Sequence, residues 1–286
     1  MLIFANHNYF SESLSKFVEN FNIMKKITVS LFVLSFIMFS CKNDKTEGQE
    51  KEIDTSVEKT QEVKQITLTK FEGSPKFEEA SISLEKANVG ELDSVANVDF
   101  KFAIQNYQLG EQTPTAEENG LANSAKGQHI HFILNNMPYH AYYESEFSKE
   151  IPEGNHVLLA FLSRSYHESV KNAFLVTNLK VGDSDVEPAD LTAPHMFYSR
   201  PKGTYKGKDT EKLLLDFFLV NTEISETGNK VKATINGEEF LITEWVPYVI
   251  EGLDKGELTI RLQLIDSKDN LIEGPFNDVT RKVTLE

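Results

Sequence analysis

His129, His131 and His140 fall within the stretch GQHIHFILNNMPYHAYY, Gly127 to Tyr143, of a chain that holds seven histidines in all. Imidazole nitrogens are common ligands for zinc and copper, with bonds of about 2.0–2.1 Å. The i, i+2 spacing of His129 and His131 puts both rings on one face of an extended strand. A two-residue turn at Asn135-Asn136 would set His131 opposite His140, and His129 opposite Tyr142. Cross-strand Cβ atoms lie about 4.5–5.5 Å apart, so the three imidazoles would share one patch. Two readings follow. The patch is a Zn²⁺ or Cu²⁺ site, or the histidines line an interface that something else covers.

The strand that carries them must present them outward. A later segment, KVKATING, alternates an apolar set (Val231, Ala233, Ile235) with a polar one (Lys230, Lys232, Thr234). Transferring that alternation sends Ile130, Phe132 and Leu134 to the core, and His129, His131 and Ile133 to the outer face. In the neighbouring HVLLAFLS, Leu158, Ala160 and Leu162 are expected on the same outer face, where the later segment has Thr259, Arg261 and Gln263. An apolar outer face requires a cover, from the 110–127 loop, a second domain or a partner.

Other groups are weaker candidates. The segment SRSYHES offers Arg164, Tyr166 and His167 as binding residues beside the histidine strand. It is similar to the Ser-Arg-x-His element of forkhead-associated phosphopeptide-binding domains, with one additional residue before His167. FYSRPKGTYKGK gathers Arg200, Lys202, Lys206 and Lys208 with Tyr198 and Tyr205, a composition suited to an anionic glycan or phosphate. Trp245 and Tyr248 are of the type that stacks on sugar rings. There is no Gly-rich phosphate loop, G-x-S-x-G elbow or H-E-x-x-H helix, so a binding protein is expected rather than an enzyme.

The elements that position these residues repeat every second residue. VDFKFAIQ alternates Val98, Phe100, Phe102 and Ile104 on one face, and HIHFIL, HVLLAFLS, KATINGEEFLI and ELTIRLQLI read as further strands between Asn-Asn, Asn-Gly and Glu-Gly turns. The series also recurs in order. Val98–Leu109 matches Leu213–Ile224, His129–His140 matches Lys230–Leu241, Pro152–Leu162 matches Leu253–Leu264, and Ala173–Val181 matches Phe276–Leu285. The predicted fold is all-β, two tandem immunoglobulin-like β-sandwich domains over 66–185 and 195–286.

Address is legible at the N-terminus. From Met24 the chain reads MKKITVSLFVLSFIMFSC, two lysines, an apolar run and a small residue before Cys41, which is the only cysteine. This resembles a bacterial lipoprotein signal, which implies removal of residues 1–40 and lipidation of Cys41. Residues 41–65 follow as a charged tether without aromatics, too polar to fold alone. Net charge is −15, from 44 acidic and 29 basic residues, which argues against nucleic acid as a partner. HIHFILNN and AFLSRSYHES resemble segments of uncharacterised Gram-negative lipoproteins with tandem β-sandwich domains, some labelled phosphopeptide-binding. That resemblance supports a lipid-anchored protein of the outer membrane with this fold and brings no activity with it. The residues themselves point to binding or scaffolding through the outer sheet of domain 1, with a protein or glycan partner and no cofactor beyond the zinc or copper that the histidines would hold.

Overall fold

The structure, a computed structural model, describes residues 65–286. The signal segment 1–40, the lipidation site Cys41 and the tether up to residue 64 lie outside the described residues. Sixteen strands and one short 3-10 turn (Gly207–Thr210) account for the regular structure among them.

β1 (Thr67–Lys70) precedes the first sandwich, which is built from β2 (Ser81–Asp93), β3 (Val95–Gln105), β4 (His129–Leu134), β5 (His140–Tyr142), β6 (Glu146–Pro152), β7 (Gly154–Ser163) and β8 (Ser169–Val181). One of its sheets runs β2-β3-β6 and the other β5-β4-β7-β8. The second sandwich follows with β9 (His195–Arg200), β10 (Gly203–Tyr205), β11 (Leu213–Val220), β12 (Lys230–Ile235), β13 (Glu238–Ile242), β14 (Tyr248–Glu251), β15 (Gly256–Ile265) and β16 (Asp278–Leu285). Its sheets run β1-β14-β11-β9 and β10-β16-β15-β12-β13. With β1 and β10 set aside, the two sandwiches have the same strand order. The repeated series in the sequence therefore corresponds to one β-sandwich topology used twice.

β1 lies within the span assigned to domain 1 from sequence, yet it pairs antiparallel with β14, Thr67 opposite Glu251 and Lys70 opposite Tyr248. Its ladder closes an otherwise open edge of the second sandwich. An ion pair from Lys70 to Glu244 and a bond from the Phe71 amide to the Pro247 carbonyl continue the attachment.

Strands β4, β7, β9 and β11 are buried on both faces, and each links its own core to a shared seam. In β11, Leu213, Leu215, Phe217 and Leu219 enter the core of the second sandwich, while Phe218 and Val220 point the other way. In β7 the phase is the reverse of the expectation from sequence. Leu158, Ala160 and Leu162 lie in the core of the first sandwich, and Val157, Leu159 and Phe161 face outward. The outward set meets Phe197, Phe218, Val220 and Phe276 of the second sandwich, with Ile133 of β4, in one buried cluster. Burying side chains of this kind contributes roughly 1.5–3 kcal/mol each, so the two sandwiches are welded face to face. The outer sheet of domain 1, expected to be a contact surface for partners, is instead the interface with domain 2.

Candidate metal centre

Strand β4 presents His129 and His131 on the seam side, and both are fully buried. Their expected third partner is displaced. Asn135 and Asn136 do adopt left-handed φ values of 51° and 55°, and the Met137 amide bonds back to the Leu134 carbonyl, as a tight turn requires. Beyond it the ladder resumes one residue late, with Phe132 opposite His140, His131 opposite Ala141 and Ile130 opposite Tyr142. One extra residue in the Met137–Tyr139 segment between the turn and β5 slips the register. A slip of one residue sends every side chain to the other face. His140 is thereby exposed, with its Nε2 at 3.2 Å from Lys149 Nζ. Tyr142 stacks on Phe147 at 3.4 Å, on the core side of domain 1. Neither belongs to the site.

Tyr139 and His167 take their places. Tyr139 is turned inward and stacks on the His131 ring at 3.6 Å and 10°. His167 comes from the loop between β7 and β8, where its own amide bonds to the Arg164 carbonyl and the Arg164 amide to the Glu168 carbonyl. Its backbone φ is +72°, a left-handed conformation uncommon for a residue with a side chain. That conformation carries the imidazole back over β4. The other two residues singled out in this loop serve the architecture. Arg164 pairs with Glu168 at 3.0 Å and donates to the Ser169 and Pro75 carbonyls, while Tyr166 is buried and donates to Ser74 Oγ at 2.9 Å. Arg164 is thus engaged within the fold and not presented to a phosphate.

Three imidazole nitrogens converge. His131 Nε2 lies 3.0 Å from His129 Nε2, His167 Nδ1 lies 3.1 Å from the same atom, and one ligand atom from each residue falls within 4.8 Å of the other two. Two nitrogens bound to one ion at about 2.0–2.1 Å stand roughly 3.3–3.6 Å apart, so shifts of a few tenths of an ångström suffice for the two close pairs.

The hydrogen bonds around the rings fix the free nitrogen of His129 and leave the tautomers of His131 and His167 open. The Gly127 carbonyl can only accept, so His129 Nδ1 donates to it at 2.8 Å and Nε2 keeps its lone pair. That carbonyl is placed by a close approach that needs glycine: Gly127 has φ +83°, and a Cβ there would lie 2.4 Å from the Gly110 carbonyl oxygen. His131 Nδ1 lies 3.2 Å from Ser199 Oγ of the second sandwich. A hydroxyl donates or accepts, so His131 can carry its proton on either nitrogen. The Tyr139 hydroxyl lies 3.1 Å from His167 Nδ1, and the His167 tautomer decides which of the two donates. Imidazoles that ligate metals typically hold their other nitrogen on a carbonyl, carboxylate or water, and His129 already does.

Burial keeps the rings neutral. It pushes His129 down to about 4, and it holds His131 and His167 well below the ordinary imidazole value, helped in both cases by Arg200 and Lys202. Neutral imidazole is the ligating form.

Most of the remaining sequence candidates are packing residues. In FYSRPKGTYKGK, Tyr198 lies in the second core and Arg200 bonds to the Tyr205 hydroxyl at 2.8 Å, while Lys206 and Lys208 are exposed, so the segment divides between core and surface. Trp245 donates to the Phe217 carbonyl at 2.9 Å, and Tyr248 is buried in the second core.

No protein-family model and no curated protein matches the chain. Among solved structures, the fibronectin(III)-like modules of Clostridium thermocellum CbhA align at 12% identity over 72% of this chain and 94% of that one, with a TM-score of 0.25. The central fibronectin-III array of RIM-binding protein aligns at 7% identity over 73% and 71%, with a TM-score of 0.22. The Bacteroides ovatus mixed-linkage glucan utilization protein SGBP-B, solved with a mixed-linkage heptasaccharide, aligns at 8% identity over 88% and 70%, with a TM-score of 0.21. The histidine site stands on its own geometry.

Proposed function

We propose that this chain is an exported, lipid-anchored binding protein of the cell envelope that holds a zinc or copper ion through His129, His131 and His167. The observation that carries the reading is the convergence of three neutral ring nitrogens, two of them 3.0 and 3.1 Å from His129 Nε2. His129 and His131 have tautomers that free Nε2 without orphaning a neighbour, whereas an ion on His167 Nδ1 takes the place of the Tyr139 hydroxyl there. His129 keeps its proton on the Gly127 carbonyl. His131 moves its proton to Nδ1, where Ser199 Oγ accepts it. His167 keeps its proton on Nε2, away from the cluster. The ion would lie against the seam, so its ligands come from domain 1 and one supporting hydroxyl from domain 2.

The test is titration of the full chain, purified in detergent, with Zn²⁺ and with copper. One ion per chain is expected. His129→Ala, His131→Ala and His167→Ala should each lose more affinity than the roughly 10–100-fold that removal of an outer-shell partner typically takes. His140→Ala, a histidine the register slip sends elsewhere, should bind as the parent does. Heats that are equal in the parent and all four variants would sink the reading.

The envelope address rests on the MKKITVSLFVLSFIMFSC segment and is tested separately. Cys41→Ser is expected to abolish incorporation of labelled fatty acid and to move the protein from the membrane to the soluble fraction. A variant that stays on the membrane to the same extent would contradict lipidation at that position.

A further inference from the structure

The charge around the three histidines discriminates between ions, an inference that rests on the metal-binding reading above. The ligating group consists of three imidazoles and contains no carboxylate. Its surroundings are cationic below about pH 8, the value to which burial, aided by Arg200, lowers Lys202. Lys202 Nζ stands 3.7 Å from the centre of the Tyr139 ring, whose stacking partner at 3.6 Å is His131. Lysine, tyrosine and histidine therefore form a stack, with the ammonium one ring away from a ligand. The Arg200 guanidinium lies 5.7 Å from the same Tyr139 ring. The hydrogen bonds of these cations run to the Tyr139 carbonyl (2.6 Å) and the Tyr205 hydroxyl (2.8 Å), not to carboxylates that would cancel their charge. Tyr139 supplies no anionic ligand either, because burial raises its phenol and keeps it protonated.

An ion entering such a site gains no charge compensation from its ligands and is repelled by its neighbours. Coulomb repulsion scales with the ion's charge, so a divalent ion is penalised twice as strongly as a monovalent one at the same position. The buried setting gives little screening. Among the ions that imidazole suits, monovalent copper is the one that carries a single charge and accepts three neutral nitrogen ligands without a fourth. We infer that the site selects Cu(I) over Zn(II), with Lys202, seated on the Tyr139 ring, as the residue that disfavours divalent ions.

The experiment measures both ions on the full chain. Cu(I) is titrated anaerobically under a reductant against bicinchoninate, and Zn(II) against a chromophoric zinc chelator, with the parent, Lys202→Met and Lys202→Arg. The parent should take one Cu(I) and bind it at least about 100-fold more tightly than Zn(II). Lys202→Met keeps the aliphatic stem on the Tyr139 ring but removes the charge. It should raise Zn(II) affinity about tenfold and Cu(I) affinity only about threefold, the square root expected for half the ionic charge. Lys202→Arg retains the charge and should retain the parent's selectivity. Zn(II) binding as tight as Cu(I) in the parent, or equal gains for both ions in Lys202→Met, would overturn the selectivity while leaving a metal site in place. Failure of both ions to bind would overturn the metal reading and this inference with it. Should Lys202→Met fold poorly by circular dichroism, the parent's ratio and the Lys202→Arg ratio decide the question.

Discussion

Taking the metal-free protein from about pH 7.5 to about pH 5 is expected to remove about 6 kcal/mol of folding stability, read as a fall in the urea midpoint. The cause is the three seam imidazoles. In the unfolded chain each titrates near the ordinary value of 6.5, whereas burial drives His129 to about 4 and His131 and His167 well below 6.5. Between those limits the unfolded state binds more protons than the folded state, so stability falls as pH falls. The stabilisation is fully present above about pH 7 and erodes through the window from about 6.5 down to the folded values. At about pH 5 each histidine accounts for about 2 kcal/mol. Glu168, raised by burial, works in the opposite sense and trims the total. His131→Gln should flatten the pH dependence by about one third, while His140→Gln, at an exposed position where partial burial, Lys149 and Lys202 lower the imidazole, should flatten it by much less. Equal stability at the two pH values would show that the rings are solvated rather than sealed. In the folded protein protons compete with a metal ion for these lone pairs only near the lowered folded values, so affinity should hold through this window and decline below it.

Much of this architecture is legible in the chain. Alternation with period 2 locates the strands, and the ordered recurrence of four segments exposes the second sandwich, because side-chain alternation is a property of each strand alone. The outward direction of His129, His131 and Ile133 follows from the same rule. Alternation loses its phase where both faces are apolar. HVLLAFLS is buried throughout, so nothing in it distinguishes Leu158, which enters the core, from Leu159, which enters the seam. The turn at Asn135-Asn136 is readable, since asparagine tolerates left-handed backbone, but the one-residue slip after it decides whether His140 or Tyr139 meets His131. His167 is distant in sequence from His129, and only the β7–β8 hairpin with its left-handed turn brings the two together. The position of β1 is likewise a tertiary fact, because TLTK carries no mark of the sandwich whose edge it joins.

The latch that holds the seam near His167 yields the second large effect. Asp216 of β11 is completely buried, and its carboxylate accepts from three donors of domain 1: the Ser169 amide at 3.0 Å, Ser169 Oγ at 3.1 Å and Lys171 Nζ at 2.6 Å. Lys171 also donates to the Phe217 carbonyl at 2.7 Å. Removing one partner of a buried pair is costly because the other charge stays behind without compensation, typically by about 3–5 kcal/mol. Lys171 keeps 23% of its side chain accessible, so water offsets part of that loss. The Ser169 amide, buried beside it, cannot be rescued in the same way. Asp216→Ala is therefore expected to destabilise the protein by about 3 kcal/mol in urea unfolding, and a change below about 1 kcal/mol would show that the latch is dispensable. Pairing Asp216→Leu with Lys171→Met removes both charges and should recover the part of the loss due to the uncompensated lysine, while the Ser169 amide stays unpaired. Ser169 opens β8 just two residues after His167, so Asp216 also anchors the loop that aims this imidazole at His129. Asp216→Ala should consequently weaken metal binding although Asp216 touches no ligand, and the double apolar variant, which restores part of the stability but not the acceptor for Ser169, should recover the fold more fully than the affinity.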